Sequence, residues 1–329
     1  MKLKKREVDK MTLEQYMREL WLMNKQYGQE IELYPLINML LRADEDMKNL
    51  SIRDVHNGRK TMKRDHKKYI DGFGSFPDLA IFDENFPEGQ EPKNGEEGEN
   101  TILKNIYGCV EAKPTGSKLI KCLDYLDQNT MEIGYKEEEK DYRIQIYEGK
   151  ENNNYYIQIN TKEGTLLNGS DGGATPAGQL LGELLWYGKV LYTNGVIWKY
   201  YALPKESEEI INPIRKRWIS TDEEKGAIPP KGTEEYEKWE KEYKDWKKER
   251  KTWIFEQCKN LKIEIKSNEI GNLTDIYQKI KNKEKFEQEW KNLKNNKEFE
   301  QKWEDFIEKL KNIKWNEDVF TNAETKNPN

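Results

Sequence analysis

The apolar positions among the first 43 residues recur at helical spacing and predict two helices. Thr12, followed by Gln15 three residues later, has the pattern of a capping box, so the first helix is predicted to begin there and to end near Gly28. The second helix is predicted from about residue 30 to residue 42, and its apolar residues share one face: Leu33, Leu36, Ile37, Leu40 and Leu41.

Downstream, short apolar runs predict strands rather than helices. Residues 78–82 and 105–113 form two such runs, and the acidic segment 84–100 between them has few apolar residues and predicts a surface loop. Residues 142–147 and 155–160 form two more runs and predict a hairpin. Helices followed by these strands indicate a mixed α/β fold.

A third helix is predicted from Pro176 to about Tyr187. Thr175 and Pro176 are a suitable N-cap and first helical residue. Two short strands then flank Thr193-Asn194-Gly195, in which the Asn-Gly pair is a strong signal for a hairpin turn.

The composition changes after Leu203-Pro204 to a sequence rich in Lys, Glu and Trp. Residues 236–253 place aromatic side chains at heptad positions and predict a helix, whereas residues 261–265 alternate like a short strand. We therefore predict two domains, an α/β domain over residues 1–205 and a mainly α-helical domain over residues 206–329.

A 13-residue repeat in the second predicted domain relates residues 286–290 to residues 299–303. On one continuous helix, an offset of 13 residues would rotate the two copies to different faces. Two helices with a break near Asn295-Asn296 are therefore predicted.

The charge balance limits the kinds of partner. The chain has 56 Lys and Arg against 61 Asp and Glu, and the resulting net charge of −5 excludes a uniformly basic surface for nucleic acid but allows a local patch. Residues 53–68 form such a basic run, in which His56 and His66 are too far apart and unaccompanied to indicate a zinc site. The candidate nucleic-acid contacts in this run are Arg59, Lys60, Lys63, Arg64, Lys67 and Lys68.

Cysteine usage and apolar content indicate the compartment. The three cysteines have neither disulfide-scaffold nor metal-ligand spacing, which fits a reducing environment. The basic residues 1–6 are not followed by an apolar signal region, and no stretch approaches the roughly 20 apolar residues that span a bilayer. We expect a soluble, cytoplasmic protein with no membrane partner.

Two short motifs carry the candidate chemistry. Pro77-Asp78 opens one predicted strand, and Glu111-Ala112-Lys113 ends the next. Residues i and i+2 of a strand face the same side, so Glu111 and Lys113 project together, and pairing of the two strands would bring Asp78 to them. Two carboxylates suit Mg²⁺, and a neighbouring lysine can orient or deprotonate an attacking water.

These motifs resemble the PD-(D/E)xK nuclease superfamily, whose name describes this pattern. The resemblance covers roughly residues 28–203 and extends to the hairpin 191–198, which is similar to the hairpin in nuclease domains of type I restriction enzymes. It implies a restriction-endonuclease-like mixed sheet flanked by helices, followed here by the mainly helical region. Where the family often has Gln and then Tyr four residues later, this chain has Gln179 and then Glu183.

The resemblance also implies roles for individual residues. Mg²⁺, for which Mn²⁺ can substitute, would be held by Asp78, Glu111, the Ala112 carbonyl and an acidic residue of the second helix. That acidic residue is assigned to Glu32, with Glu30 as its rival. The catalytic set is Asp78, Glu111, Lys113, which would position the water, and Gln179, which would support the site.

The expected function is that of a metal-dependent endonuclease that hydrolyses phosphodiesters in DNA, with double-stranded DNA favoured. No helicase or ATPase motif accompanies the domain, so a stand-alone restriction or defence nuclease is expected, with residues 206–329 serving target recognition or homodimerisation. The alternatives are a structure-specific repair or RNA-processing nuclease, and a non-catalytic nucleic-acid-binding or assembly protein that keeps the fold.

Overall fold

The fold is described from a computed structural model of the chain. The residues that it describes are 11–43, 50–56, 64–73, 76–88, 101–119, 131–137, 140–148, 155–161, 176–223, 229–242, 245 and 262–316. The predicted surface loop from residue 89 onward and most of the predicted heptad helix after residue 242 lie outside these ranges.

Nine strands are present within the described residues, and together they build one sheet. The strands predicted around residues 78–82, 105–113, 142–147 and 155–160 are confirmed, as is the hairpin at the Asn-Gly turn. Their bounds are β1 Leu50–Asp54, β2 Leu79–Asp83, β3 Ile106–Ala112, β4 Met131–Glu137, β5 Lys140–Glu148, β6 Tyr155–Thr161, β7 Lys189–Thr193, β8 Ile197–Ala202 and β9 Lys262–Asn272.

The strand order is β1-β2-β3-β7-β8-β9-β6-β5-β4. The first six strands of this order form a mixed sheet, which helices flank. The pair β3–β7 is parallel, and the other neighbouring pairs among these six strands are antiparallel. A parallel pair needs a long connection between its strands, and here the chain from β3 to β7 includes strands β4 to β6 and a helix. Strand β3 of this pair carries Glu111 of the candidate site.

The helices cover the two faces of the sheet. The predictions for the first two helices, for the helix from Pro176 to Tyr187 and for two separate helices across the repeat are confirmed. The bounds are α1 Leu13–Lys25, α2 Leu33–Leu41, α3 Arg64–Ile70, α4 Thr101–Lys104, α5 Pro176–Tyr187, α6 Lys205–Glu223, α7 Thr274–Ile280, α8 Phe286–Leu293 and α9 Lys297–Lys311, with a 3₁₀ helix at Glu30–Glu32 and a further helical segment at 234–242.

Alternation along the strands divides the buried residues between the two faces. Ala80 and Cys109 belong to one apolar cluster, which is covered by α5 and α6. Their sequence neighbours Leu79 and Val110 belong to the other cluster, which is covered by α1, α2 and the C-terminal helices. None of the described helices combines the length and apolar character that crossing a membrane requires.

The N-terminal helix is fixed at its start and along its buried face. The Thr12 hydroxyl accepts a hydrogen bond from the Gln15 N–H, and the Gln15 side chain accepts one from the Thr12 N–H, so the predicted capping box is formed. The buried Tyr16 hydroxyl donates to the Gly195 carbonyl at 2.5 Å and accepts from the Trp198 indole N–H at 3.1 Å. These bonds join α1 to the turn between β7 and β8.

The region after residue 205 takes part in the same sheet and core. Strand β9 continues well beyond the predicted 261–265 and pairs with β8 over Ile197–Ala202. Helix α9 packs on β9, and the Trp303 ring lies 5.0 Å from the Tyr16 ring of α1. The predicted boundary at residues 205/206 therefore does not coincide with an edge of the sheet.

Candidate active site

The pairing of β2 with β3 brings the two predicted motifs together. These strands are antiparallel, with Leu79 opposite Val110, so the same register places Asp78 opposite Glu111. By the alternation of β3, Glu111 shares the face of Cys109, which α5 covers. Asp78 instead directly precedes β2 and is contacted by Tyr34 of α2. Lys113 follows directly after β3, and its Nζ donates a hydrogen bond to Glu111 Oε1. Asp78, Glu111 and Lys113 therefore form one group.

Asp78 is buried and held by two hydrogen bonds. The Tyr34 hydroxyl of α2 donates to Oδ1, and the Ala112 N–H donates to Oδ2 at 2.7 Å. Burial raises the pKa of the Asp78 carboxyl, although these bonds and the charge of Lys113 oppose the rise. Tyr34 is not among the residues predicted for the apolar face of the second helix, and no motif in the sequence indicates its contact with Asp78.

Lys113 lies between two carboxylates. Besides its bond to Glu111, its Nζ lies 3.9 Å from Glu30 Oε2. Burial by itself would lower the pKa of the ammonium, but the carboxylates of Glu111, Glu30 and Asp78 outweigh burial and raise it. Lys113 is therefore held as a cation, which favours orientation of a water or phosphate over removal of a proton.

The structure places Glu30, rather than Glu32, beside this group. Glu30 Oε1 lies 3.5 Å from the Tyr34 hydroxyl oxygen, and burial followed by the charge of Asp78 raises the pKa of the Glu30 carboxyl. The Glu32 carboxylate instead accepts from the Gln29 N–H at 3.0 Å, where it caps the 3₁₀ helix. Both residues belong to one helical turn, so their order in the sequence does not distinguish them.

A second buried carboxyl, Glu183, lies against Glu111. It projects from α5, is fully buried, and its Oε1 accepts from Gln179 Nε2 at 3.1 Å. Considered as two carboxylates, Glu111 and Glu183 each leave a buried Oε2 without a hydrogen-bond donor among the described residues. A proton on Glu183 allows it to donate to Glu111, which satisfies both groups.

The titration of this acidic pair follows from its burial. Burial and the charge of Asp78 raise the pKa of Glu111 from 4.5 to about 8, against the opposing effect of Lys113. Burial and the charge of Glu111 hold the pKa of Glu183 well above its ordinary value. The sequence contained one signal for Glu183, its position one helical turn after Gln179, where both side chains share a face.

The donor set is compatible with a hard cation such as Mg²⁺. When Glu183 is ionised, Glu111 Oε2 is a buried carboxylate oxygen without a donor among the described residues. A cation bound there would take the place of the Glu183 proton and stabilise the charged form of Glu111 that burial disfavours. In the described part of the chain, no three His, Cys, Asp or Glu side chains are grouped so as to hold a metal ion. A cation at Glu111 would therefore need backbone carbonyls or water molecules to complete its coordination.

The basic run is described only in part. Arg59, Lys60 and Lys63 lie outside the described residues, and Arg64 is the first residue of α3. Lys67 and Lys68 lie further along α3, where their ammonium groups approach the rings of neighbouring aromatic residues. Nucleic-acid contact by this run stays a prediction.

Comparisons with known proteins gave no relative for this chain. No protein-family model matches it, and neither the curated proteins nor the solved structures contain a match.

Proposed function

We propose that the protein is a metal-dependent nuclease with a restriction-endonuclease-like fold that hydrolyses phosphodiester bonds in DNA. One observation carries the proposal, namely the convergence of Asp78, Glu111 and Lys113 at the ends of two paired strands. Two carboxylates beside an ammonium, all held on a rigid sheet, can bind a divalent cation and orient a water against a phosphodiester.

Each residue has a definite task in this proposal. Asp78, Glu111 and the Ala112 carbonyl would hold Mg²⁺, and Mn²⁺ could replace it. The cation would supply Lewis-acid stabilisation of charge on the phosphate and a more acidic bound water. Lys113 orients the attacking water by its fixed ammonium, and Gln179 supports Glu111 through Glu183.

The biological setting is proposed on the same basis. Double-stranded DNA and a stand-alone restriction or defence role remain the preferred substrate and setting, and a repair or RNA-processing nuclease would use the same group of residues. The non-catalytic alternative has support from one feature. Both Asp78 oxygens already accept hydrogen bonds, so a cation must compete with Tyr34 or with the Ala112 N–H.

A cleavage assay tests the proposal. Purified protein is incubated with plasmid DNA, and separately with RNA, in Mg²⁺, in Mn²⁺ and in EDTA. Asp78→Asn, Glu111→Gln and Lys113→Met should each lower the cleavage rate at least about 100-fold, because each removes charge that acts on the reacting phosphate. Glu19→Gln and Lys118→Met change an exposed carboxylate and an exposed ammonium and serve as matched controls.

The outcomes separate the alternatives. Cleavage at the wild-type rate by the three site variants would show that the chemistry lies elsewhere. Binding of DNA without cleavage under any metal condition would favour the non-catalytic reading. Discrete fragments would indicate sequence-specific restriction, whereas a smear would indicate degradation without sequence preference.

A further inference from the structure

A histidine–aspartate pair lies beside the candidate active site. The His56 Nδ1 lies 2.8 Å from Asp54 Oδ1, and the His56 backbone N–H also donates to this oxygen at 3.3 Å. Asp54 ends β1 and is half exposed, while the His56 side chain is 29% exposed. The pair is thus fixed in geometry and reached by solvent, as a group that exchanges protons with a substrate must be.

A backbone hydrogen bond connects this pair to Asp78 of the candidate active site. The N–H of Val55, between the two residues, donates to the Asp78 carbonyl at 3.1 Å. The imidazole packs edge-on against the Tyr34 ring, with 5.5 Å between the centroids, and the Tyr34 hydroxyl donates to Asp78. The charge of a protonated His56 also opposes the rise that burial causes in the pKa of Asp78. His56 therefore lies within electrostatic reach of the proposed catalytic carboxylate.

One task in phosphodiester hydrolysis is still without a residue. The bridging oxygen that leaves phosphorus needs a proton, since an alkoxide is a poor leaving group. Lys113 is bound to Glu111 and near Glu30, so its ammonium already has carboxylate partners. Histidine is the side chain used most often for such proton transfers, and a carboxylate at Nδ1 orients the ring so that Nε2 carries the transfer.

We propose that His56 is the general acid of the nuclease reaction and that Asp54 is its positioning residue. The inference rests on the proposed function. Its basis is the orientation of the imidazole by Asp54 and its packing on Tyr34, the residue that holds Asp78.

The step balances in atoms and electrons. The water oxygen forms a bond to phosphorus, and the bond from phosphorus to the bridging oxygen breaks with its electron pair kept on that oxygen. His56 Nε2 gives its proton to this oxygen, the proton of the water passes to solvent, and His56 regains a proton from solvent. The sum is the addition of one water across the phosphodiester.

The experiment compares two duplex substrates in the presence of Mg²⁺. One has the natural bridging oxygen at a cleavage position mapped with the wild-type protein, and the other has sulfur in place of that oxygen. A thiolate leaves without a proton. His56→Gln should therefore lower the rate about 100-fold or more on the oxygen substrate and leave it near the wild-type rate on the sulfur substrate.

Further variants serve as controls and as an independent check. His66→Gln changes the other histidine of the chain and should cleave both substrates like the wild type. Asp54→Asn should give a smaller loss, again confined to the oxygen substrate, because an amide orients the ring less firmly than a carboxylate. Thermal unfolding of each variant verifies that the fold is kept.

Two results would overturn the inference while leaving the proposed function intact. One is cleavage of the oxygen substrate by His56→Gln at the wild-type rate, and the other is an equal loss on both substrates, which indicates binding or structure. In both cases the wild type cleaves and Glu111→Gln does not. If the wild type cleaves neither substrate, or Glu111→Gln cleaves both, the proposed function fails and the inference fails with it.

Discussion

The substitution Glu111→Gln tests the electrostatics of the site without any assumption about its substrate. Glu111 is buried, and burial together with the charge of Asp78 raises its pKa from 4.5 to about 8. Between these two values the folded protein keeps a proton that the unfolded chain releases. The folded state therefore binds more protons than the unfolded state, and the free energy of unfolding falls as the pH rises.

The size of the effect follows from the width of this interval. Each pH unit between the two pKa values changes the free energy of unfolding by about 1.4 kcal/mol. From pH 5 to pH 8 the loss approaches roughly 4 kcal/mol, and above the folded pKa it no longer grows. Glu183 titrates with Glu111 and changes the stability in the same direction, so the measured difference belongs to the pair.

Urea unfolding at pH 5, 6, 7 and 8 measures this difference. Glutamine has nearly the shape of protonated glutamate and does not titrate. The free energy of unfolding of Glu111→Gln, relative to that of the wild type, should therefore rise by up to roughly 4 kcal/mol from pH 5 to pH 8. Glu19→Gln, which changes an exposed carboxylate of α1, should follow the wild-type curve.

If the free energies of unfolding of the wild type and of Glu111→Gln changed equally with pH, this reasoning would be refuted. Glu111 would then have the same pKa in the folded and the unfolded state.

The same measurement also tests metal binding in the proposed function. Mg²⁺ would bind the ionised carboxylate and compete with the proton, so its addition should stabilise the wild type more at pH 8 than at pH 5.

Two further predictions concern the packing that holds the site. Tyr16→Phe removes the hydroxyl that bonds to Gly195 and Trp198, so unfolding in urea should show a loss of about 1–3 kcal/mol, and an unchanged midpoint would contradict the role given to these bonds. Trp303→Ala should destabilise the whole protein by about 3–5 kcal/mol in a single transition, since Trp303 is buried against Tyr16 and Phe306. Separate melting of a C-terminal unit would contradict its place in the common core.

The secondary structure was largely predictable because its signals are local. The capping box at Thr12, the Asn-Gly turn at Asn194 and the break before α9 each depend on a few consecutive residues, and all three are formed. The length of β9 was not predictable from its pattern, because most of that strand is polar and is held by pairing with β8. Pairing of this kind depends on distant sequence, which a local pattern does not contain.

The sequence by itself determined many of the elements, although not β1, β4, α6 or the length of β9. It also determined the carboxylate–lysine motif, since strand alternation alone makes Glu111 and Lys113 neighbours. Only the tertiary structure decided what surrounds that motif. It placed Glu30 at the site, buried Glu183 against Glu111 and packed His56 on Tyr34. The physical reason is that burial and charge–charge contact arise between distant segments, and these contacts set the pKa values and hydrogen bonds on which the chemistry depends.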